Sequence, residues 1–412
     1  MILSWKAVRW TLATGLAVCA VALWFRDEPQ GFAQTKSPLE KVFPAAAKCK
    51  RCHERSFEEW EASPLSRSIH SPAFRAMLDQ YVSSAGTKDK LLCLRCHAPH
   101  VNEYPEQGDA FIAQVQSGDP AIDGVGCTQC HLIKQVDRSN VQPSPKYETG
   151  GKTMFGPYKD YVPNLAHQSM ELPLFRKSDL CLNCHLAVPT AASLGKANDL
   201  LGGWETSQAV KSGKECQTCH MPEQVGESAN GERKRKVANH SFPGRIGKLR
   251  QEAAKLDVLT TIKGDQTTVK VTVQSLVPHN LPTTHPGWAR VVLDLSIQGK
   301  NLKTVYAEQR VYGRTYADAK GQKTVFDFEA AQVLGNTVLK PEETRVETFT
   351  FPTPKDTKTF DVDVELSYAP LTGPPAFLQR VEAESAQGAQ DAVFQSIPIT
   401  RKTVNVPVAT GN

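Results

Sequence analysis

The carboxy-terminal part of the chain alternates apolar and polar residues with the period of two that is typical of β-strands. In residues 360–368, Phe, Val, Val, Leu and Tyr occupy every second position, with acidic residues or serine between them. Further strand-like runs lie at 269–273, 291–297, 304–312 and 345–351. About seven short strands separated by Gly, Pro and Asp turns predict an all-β, sandwich-like domain over residues 249–412.

Residues 34–248 contain few long periodic segments, which predicts loops and short helices. Residues 57–60 and 74–81 have helical character, and Ala73, Met77 and Tyr81 share one helix face, so Met77 is expected to pack rather than to bind a metal. The basic runs that follow, 231–236 and 244–255, indicate a solvated connector between two domains.

The amino-terminal 33 residues have the pattern of an export segment. Lys6 and Arg9 precede an apolar run from Trp10 to Phe25, and small residues allow cleavage after Ala33. The apolar run is slightly short for a membrane span, but an uncleaved anchor is the alternative. We therefore expect a periplasmic protein that is either free or tethered to the inner membrane.

Composition narrows the protein class. The 412 residues suggest two or more folded units, and 22% charged with 40% hydrophobic residues excludes a membrane bundle. The net charge of +5 comes from 48 basic and 43 acidic residues, a balance that gives no indication of nucleic-acid binding. Eleven cysteines are compatible with a disulfide scaffold, so the spacing of the cysteines must show whether they form disulfides.

Ten of the eleven cysteines lie in five copies of the pattern Cys-x-x-Cys-His. The five copies are Cys49–His53, Cys93–His97, Cys127–His131, Cys181–His185 and Cys216–His220, with second cysteines at Cys52, Cys96, Cys130, Cys184 and Cys219. Random placement would give roughly 0.01 copies of this c-type haem attachment signature. Only Cys19, in the apolar export segment, lies outside the pattern.

The chemistry of haem explains this spacing. Two cysteines separated by two residues can each form a thioether with a haem vinyl group, and the next histidine binds the iron. Zinc sites and thiol redox pairs also use Cys-x-x-Cys, but neither requires a histidine after every pair. We therefore predict five covalently bound haem c groups, with His53, His97, His131, His185 and His220 as metal ligands. Haem c is attached outside the cytoplasm, in agreement with the export segment.

The second ligand of each iron must come from elsewhere in the chain. Six histidines lie outside the motifs: His70, His100, His167, His240, His279 and His285. Histidine on both iron faces would give lower potentials than a histidine and methionine pair. His100 lies too close to His97 to serve the same haem but can bind a neighbouring one. Five of these six histidines would suffice for the five irons, and His285 is expected to be an exposed turn residue.

Several connecting segments resemble a known family. They are Ser68-Ile69-His70, Phe155-Gly156-Pro157-Tyr158 before His167, Cys219-His220-Met221-Pro222, Asn239-His240-Ser241 and His279-Asn280-Leu281-Pro282-Thr283. Over most of residues 45–300 the chain resembles the nitrifier tetrahaem cytochrome and hydroxylamine-oxidoreductase superfamily. The resemblance implies a haem-packed, loop-rich, mainly α domain over 34–248. It also implies His70, His167 and His240 as second ligands, with His279 as a fourth. If His279 binds iron, it clamps the β-domain onto the haem domain; the alternative is a turn histidine that makes local hydrogen bonds.

Two functions from different classes follow. The first is an electron carrier that passes electrons through mostly bis-histidine haems to redox proteins or to a quinol-linked membrane complex, in a respiratory or nitrogen-cycle chain. The second is an oxidoreductase acting on a small nitrogen compound at a five-coordinate haem. All five motifs end in histidine, whereas the catalytic motif of pentahaem nitrite reductases usually ends in lysine. The sequence therefore favours the carrier, and we assign no catalytic residue.

Overall fold

The structure is a computed structural model. It describes residues 37–84, 89–139, 144–187, 194, 199–244, 247–283, 285, 287–299, 303–355, 357–369, 371–385 and 395–408. The predicted export or anchor segment, with Cys19 and the cleavage position after Ala33, lies outside these residues. Among the helices in the described ranges, none has the length and apolar character needed to cross a membrane.

Short helices joined by loops make up the first part of the chain. The α-helices are α1 (Pro38–Val42), α2 (Ala47–Lys50), α3 (Glu54–Glu61), α4 (Pro72–Ser83), α5 (Leu94–His97), α6 (Gly108–Ser117), α7 (Cys127–His131), α8 (Asp179–His185), α9 (Gln208–Lys211), α10 (Cys216–His220) and α11 (Lys248–Gln251). The helices predicted around 57–60 and 74–81 are confirmed as α3 and α4. Met77 is 7% exposed and packs in a hydrophobic core, as predicted.

Small β-ribbons also occur in this part, and the sequence pattern did not indicate them. Strands β1 (Ile133–Asp137) and β2 (Ser144–Tyr147) are antiparallel, as are β5 (Glu223–Gly226) and β6 (Arg235–Ala238). Strands β3 (Thr153–Gly156) and β4 (Gln168–Glu171) pair in parallel. Each strand has only four or five residues, which is too short for a clear alternation of apolar and polar positions.

Long strands begin at residue 254. They are β7 (Ala254–Lys263), β8 (Gln266–Ser275), β9 (Arg290–Gln298), β10 (Thr304–Tyr312), β11 (Arg314–Ala317), β12 (Lys323–Thr324), β13 (Gln332–Asn336), β14 (Thr344–Pro352), β15 (Thr359–Ala369) and β16 (Ile397–Pro407). The strands predicted from alternation are confirmed in β8, β9, β10, β14 and β15.

These strands form antiparallel sheets that share a core. One sheet has the order β10-β9-β15-β16 and another the order β14-β8-β7, while β12-β11-β13 form a smaller sheet. Every second residue of β8 and β9 is buried, and the two larger sheets contribute to one hydrophobic cluster. The alternation in the sequence therefore marks the faces that the sheets turn toward each other.

The β-region is also packed against the first part of the chain. Helix α12 (Pro375–Ser385) lies against α4, where Arg75 and Glu384 form an ion pair of 2.7 Å. Phe377 and Val381 of α12 are buried in the hydrophobic cluster that contains Leu78 of α4. Loops near the carboxy-terminal sheets are thereby held close to the Cys-x-x-Cys-His motifs.

Candidate haem centres

Each Cys-x-x-Cys-His motif lies on, or directly after, a short helix. We number the motifs in chain order as sites 1 to 5. Residues three and four positions apart lie on one face of a helical turn. The helical turn at each motif therefore brings both cysteines and the histidine to the same face. In site 1 the His53 amide donates to the Cys49 carbonyl at 2.9 Å, and in site 2 the His97 amide donates to the Cys93 carbonyl at 3.2 Å.

Backbone carbonyls orient four of the motif histidines. The Nδ1 atoms lie 2.7 Å from Ser228 O for His53, 2.7 Å from Ser68 O for His97, 2.6 Å from Phe155 O for His131, and 2.5 Å from Pro243 O for His220. A carbonyl oxygen can only accept, so each Nδ1 carries the proton and donates it. The Nε2 atom is then left with a free lone pair for a metal.

Four histidines from outside the motifs face four of the motif histidines. The distances between ring centres are 6.2 Å for His53 and His167, 6.0 Å for His97 and His285, 6.4 Å for His131 and His240, and 6.3 Å for His220 and His279. Two imidazoles bound to opposite faces of one metal, each through a bond of about 2 Å, hold their ring centres roughly 6 Å apart. The pairs therefore fit an iron bound between two histidines.

Three of these partner histidines are oriented in the same way as the motif histidines. The Nδ1 atoms of His167, His240 and His279 lie 3.1 Å, 3.1 Å and 3.0 Å from the carbonyls of Gln168, Ala238 and Asn280. His285 differs, because its Nδ1 is buried without a hydrogen bond and the nearest carboxylate oxygen, Oδ2 of Asp327, is 3.9 Å away.

Desolvation keeps four of these imidazoles neutral. Burial lowers the pKa of His97, His240 and His279 to about 4 and that of His285 to about 3. The rings line the protein interior rather than the outer surface, so the charged form loses hydration. Neutral imidazole is the form that binds a metal, and the donor set therefore suits an iron porphyrin at neutral pH.

Three histidines have surroundings that differ from the sequence-based expectation. His285, expected to be an exposed turn residue, has a side chain only 32% exposed and faces His97. His70 and His100 were predicted to bind iron, but neither lies against a motif histidine. Nε2 of His70 is 2.9 Å from the carbonyl of Ile122, and His100 is buried between Phe43 and Phe111.

His185 of site 4 is arranged differently from the other motif histidines. Desolvation lowers the pKa of its imidazole, as it does for His131. In the ranges covered by the structure, no second histidine ring lies against it and no backbone carbonyl accepts a hydrogen bond from its Nδ1. One face of a metal at site 4 would therefore lack a histidine from the described part of the chain.

Contacts between cysteines place the sites next to one another. The side chains of Cys49 and Cys127 lie next to each other, which places site 1 beside site 3. Equivalent contacts join Cys96 to Cys184 and Cys181 to Cys216, so site 4 touches both site 2 and site 5. Cys130 also lies close to Cys181 and Cys184, so site 3 is a neighbour of site 4. The order is therefore 1–3–4–5, with site 2 attached to site 4.

The two ends of this order, sites 1 and 5, contain the exposed motif cysteines. Among the ten motif cysteines, Cys52 of site 1 and Cys219 of site 5 are exposed, while the other eight are partly buried.

Comparisons with known proteins agree with this geometry. The family model described as cytochrome c554 and c-prime matches residues 48–132. Cytochrome c-554 of Nitrosomonas europaea is 26% identical over 178 residues, which are 42% of this chain and 68% of that protein. The crystal structure of a penta-heme cytochrome c552 from Thermochromatium tepidum superposes with a TM-score of 0.65 at 19% identity, covering 90% of this chain and 100% of that one. The chain is thus a multihaem c-type cytochrome that resembles cytochrome c554.

Proposed function

We propose that the protein is an exported electron carrier with five covalently attached haem c groups, one at each site. The observation that carries this proposal is the set of four histidine pairs with ring centres 6.0 to 6.4 Å apart. The proposed axial ligand pairs are His53 with His167, His97 with His285, His131 with His240, and His220 with His279. His285 thus takes a role that the sequence had given to His70 or His100.

The chain itself supplies attachment, orientation and insulation. A bound haem supplies a one-electron iron couple, whose potential depends on the axial ligands and their surroundings. Two cysteines at each site would fix the porphyrin, and Nδ1 donation to backbone carbonyls would hold seven of the eight paired imidazoles, all but His285, and raise their basicity. Phe74 adds to this orientation at site 2, since its ring stacks on His97 with centres 4.2 Å apart.

We further infer that electrons travel along the order 1–3–4–5 and that partners are redox proteins or a quinol-linked membrane complex in the periplasm. The exposed cysteines of sites 1 and 5 support exchange with partners at both ends. We divide the chain into a haem domain over 34–248 and a sandwich-like domain over 249–412 that contributes His279 and His285. The amino-terminal 33 residues would serve as a cleaved signal or as an anchor.

Haem counting and electron paramagnetic resonance of the oxidised protein test this proposal. We expect five haems per chain, four of them low-spin because they have imidazole on both faces. Fewer than five haems would overturn the proposed number, and two or more high-spin irons would overturn the ligand pairs.

Site 4 carries a second candidate function, reduction or oxidation of a small nitrogen compound. The observation that favours it is His185, which faces no other histidine ring in the described residues. If its iron has an open face, the reduced protein should bind one equivalent of carbon monoxide and turn over hydroxylamine or nitrite. A wild-type protein with five low-spin irons and no carbon monoxide binding would exclude this function.

A further inference from the structure

Exposed apolar side chains are concentrated in the loop between β3 and β4. Tyr161, Val162 and Leu165 are 47%, 52% and 105% exposed, and Met170 in β4 is 52% exposed. Clusters of exposed apolar residues on a soluble protein mark interaction sites more often than isolated ones do. The loop also ends at His167, the partner of His53 in site 1.

Contacts join this loop to the β5–β6 hairpin. The Tyr158 hydroxyl donates to the Lys236 carbonyl at 3.1 Å, and the Arg235 guanidinium lies 4.7 Å from the centre of the Tyr158 ring. Asp160 forms an ion pair of 2.6 Å with Arg235. Val225 is paired with Lys236 across the hairpin and is 76% exposed. We call the surface formed by Tyr161, Val162, Leu165, Met170 and Val225 the loop–hairpin face.

Basic residues border the loop–hairpin face. The exposed basic residues of its two segments are Lys152, Lys159, Arg233, Lys234 and Lys236, against the exposed acidic residues Asp160 and Glu223, while Glu171, Glu227, Glu232 and Arg235 are partly buried. Asp160 is already paired with Arg233 and Arg235, and Glu223 with Lys236. The border is therefore net positive. The basic run that the sequence assigns to a connector lies beside a haem site instead.

The loop–hairpin face adjoins one end of the proposed electron path. Lys234 and His53 line the same recess, and the Cys52 thiol beside His53 is exposed. A partner that covers the loop–hairpin face would come close to site 1 without entering the protein. Redox proteins need only such a close approach, because electrons and not atoms are exchanged.

We propose that the loop–hairpin face is the docking site of a one-electron redox protein with an acidic surface around its own cofactor. This inference rests on the proposed electron-carrier function. One electron leaves the reduced centre of the partner and reduces ferric to ferrous haem iron at site 1, and no proton or atom is transferred. The apolar centre excludes water from the contact, and the basic border accelerates encounter with an acidic partner.

Stopped-flow reduction by a reduced, acidic plant-type ferredoxin tests the proposal. The charge variant is Lys234→Glu/Lys236→Glu, and the apolar variant is Val162→Ser/Leu165→Ser. Matched controls on the outer face of the β14-β8-β7 sheet are Lys263→Glu/Lys270→Glu and Leu259→Ser/Val346→Ser. At low salt we expect about a tenfold lower second-order rate for both face variants and less than a twofold change for both controls. The difference caused by the charge variant should vanish at high salt, because salt screens exposed charges.

Complete reduction by excess dithionite distinguishes docking from the proposed function. If the wild type and all four variants reach the same number of reduced haems, a rate defect of the face variants belongs to docking. If the wild type itself is not reduced, the electron-carrier function fails. Face variants that react as fast as their controls would overturn the docking proposal. A wild-type dimer that the apolar variant converts to a monomer, seen by sedimentation, would also overturn it, because the face would then be covered by a second copy.

Discussion

At the scale of single residues, the four histidine pairs are not equivalent. In three pairs both Nδ1 atoms donate to backbone carbonyls, whereas His285 faces the carboxylate of Asp327. The amide of Gly287 donates to Oδ1 of Asp327 at 3.1 Å, and burial raises the pKa of this carboxyl to about 7. His285 also has a left-handed backbone with φ of 41°, which is uncommon for residues other than glycine. This arrangement holds the ring toward His97.

Substitution His285→Ala tests the ligand pair at site 2. Because no other histidine ring faces His97 among the described residues, we expect one low-spin iron to become high-spin in the electron paramagnetic resonance spectrum. The control is His70→Gln, whose amide nitrogen can still donate to the Ile122 carbonyl that now contacts His70. An unchanged spectrum for His285→Ala would remove His285 from the ligand set.

Substitution Asp327→Asn tests the carboxylate behind His285. A negative charge near an axial imidazole increases electron density at the iron and stabilises its oxidised form. We therefore expect the midpoint potential of one haem to rise in the variant at pH 8, where the wild-type carboxylate is mostly ionised. The other four potentials should stay unchanged. A redox titration that shifts none of the potentials, or all of them equally, would contradict this role.

The elements of secondary structure were predictable to very different degrees. Alternation in residues 360–368 predicts β15, and the spacing of Ala73, Met77 and Tyr81 predicts the buried face of α4, because these patterns are local. The pairing of His97 with His285 joins residues far apart in sequence, and no local pattern marks it. The numbers give a partial signal, since five motif histidines and six others suggest pairs, but only the fold decides which four of the six others face a motif histidine.

Helix α12 contacts the surroundings of His285 in addition to packing against α4. Phe377 is 1% exposed and stacks on Trp288 with ring centres 5.7 Å apart, and Trp288 lies 4.5 Å from the His285 ring in an edge-to-face contact. A helix of the carboxy-terminal region thus supports a proposed ligand of site 2 through one intervening side chain.

Substitution Phe377→Ala tests this support. Loss of a buried phenylalanine side chain typically lowers the free energy of unfolding by about 3 to 5 kcal/mol. We also expect a shifted midpoint potential at site 2, because the Trp288 and His285 rings lose their packing partner. Phe349→Ala removes an equally buried ring, 1% exposed, from the sheet core. That control should lose comparable stability in denaturant titrations and keep all five potentials, and equal effects on the potentials would contradict the role of α12.

At the scale of the whole molecule, proposed iron ligation and apolar packing join the first part of the chain to the β-region. His279 and His285 come from the β-region, while the motif histidines they face, His220 and His97, lie in the first part. The α4–α12 contact adds the Arg75–Glu384 ion pair. The motifs alone predict the cofactor and its number, whereas this connection depends on which distant segments fold together.

Thermal unfolding of the double variant His279→Ala/His285→Ala tests this connection. In the wild type, haem absorbance and the far-ultraviolet signal of the sheets should change in one transition, because the proposed iron–histidine bonds would tie the β-region to the haem sites. In the double variant we expect two transitions. His167→Ala is the control, since it removes a proposed ligand within the first part of the chain and should keep a single transition. Coincident transitions in the double variant would mean that the α4–α12 packing, and not ligation, holds the β-region in place.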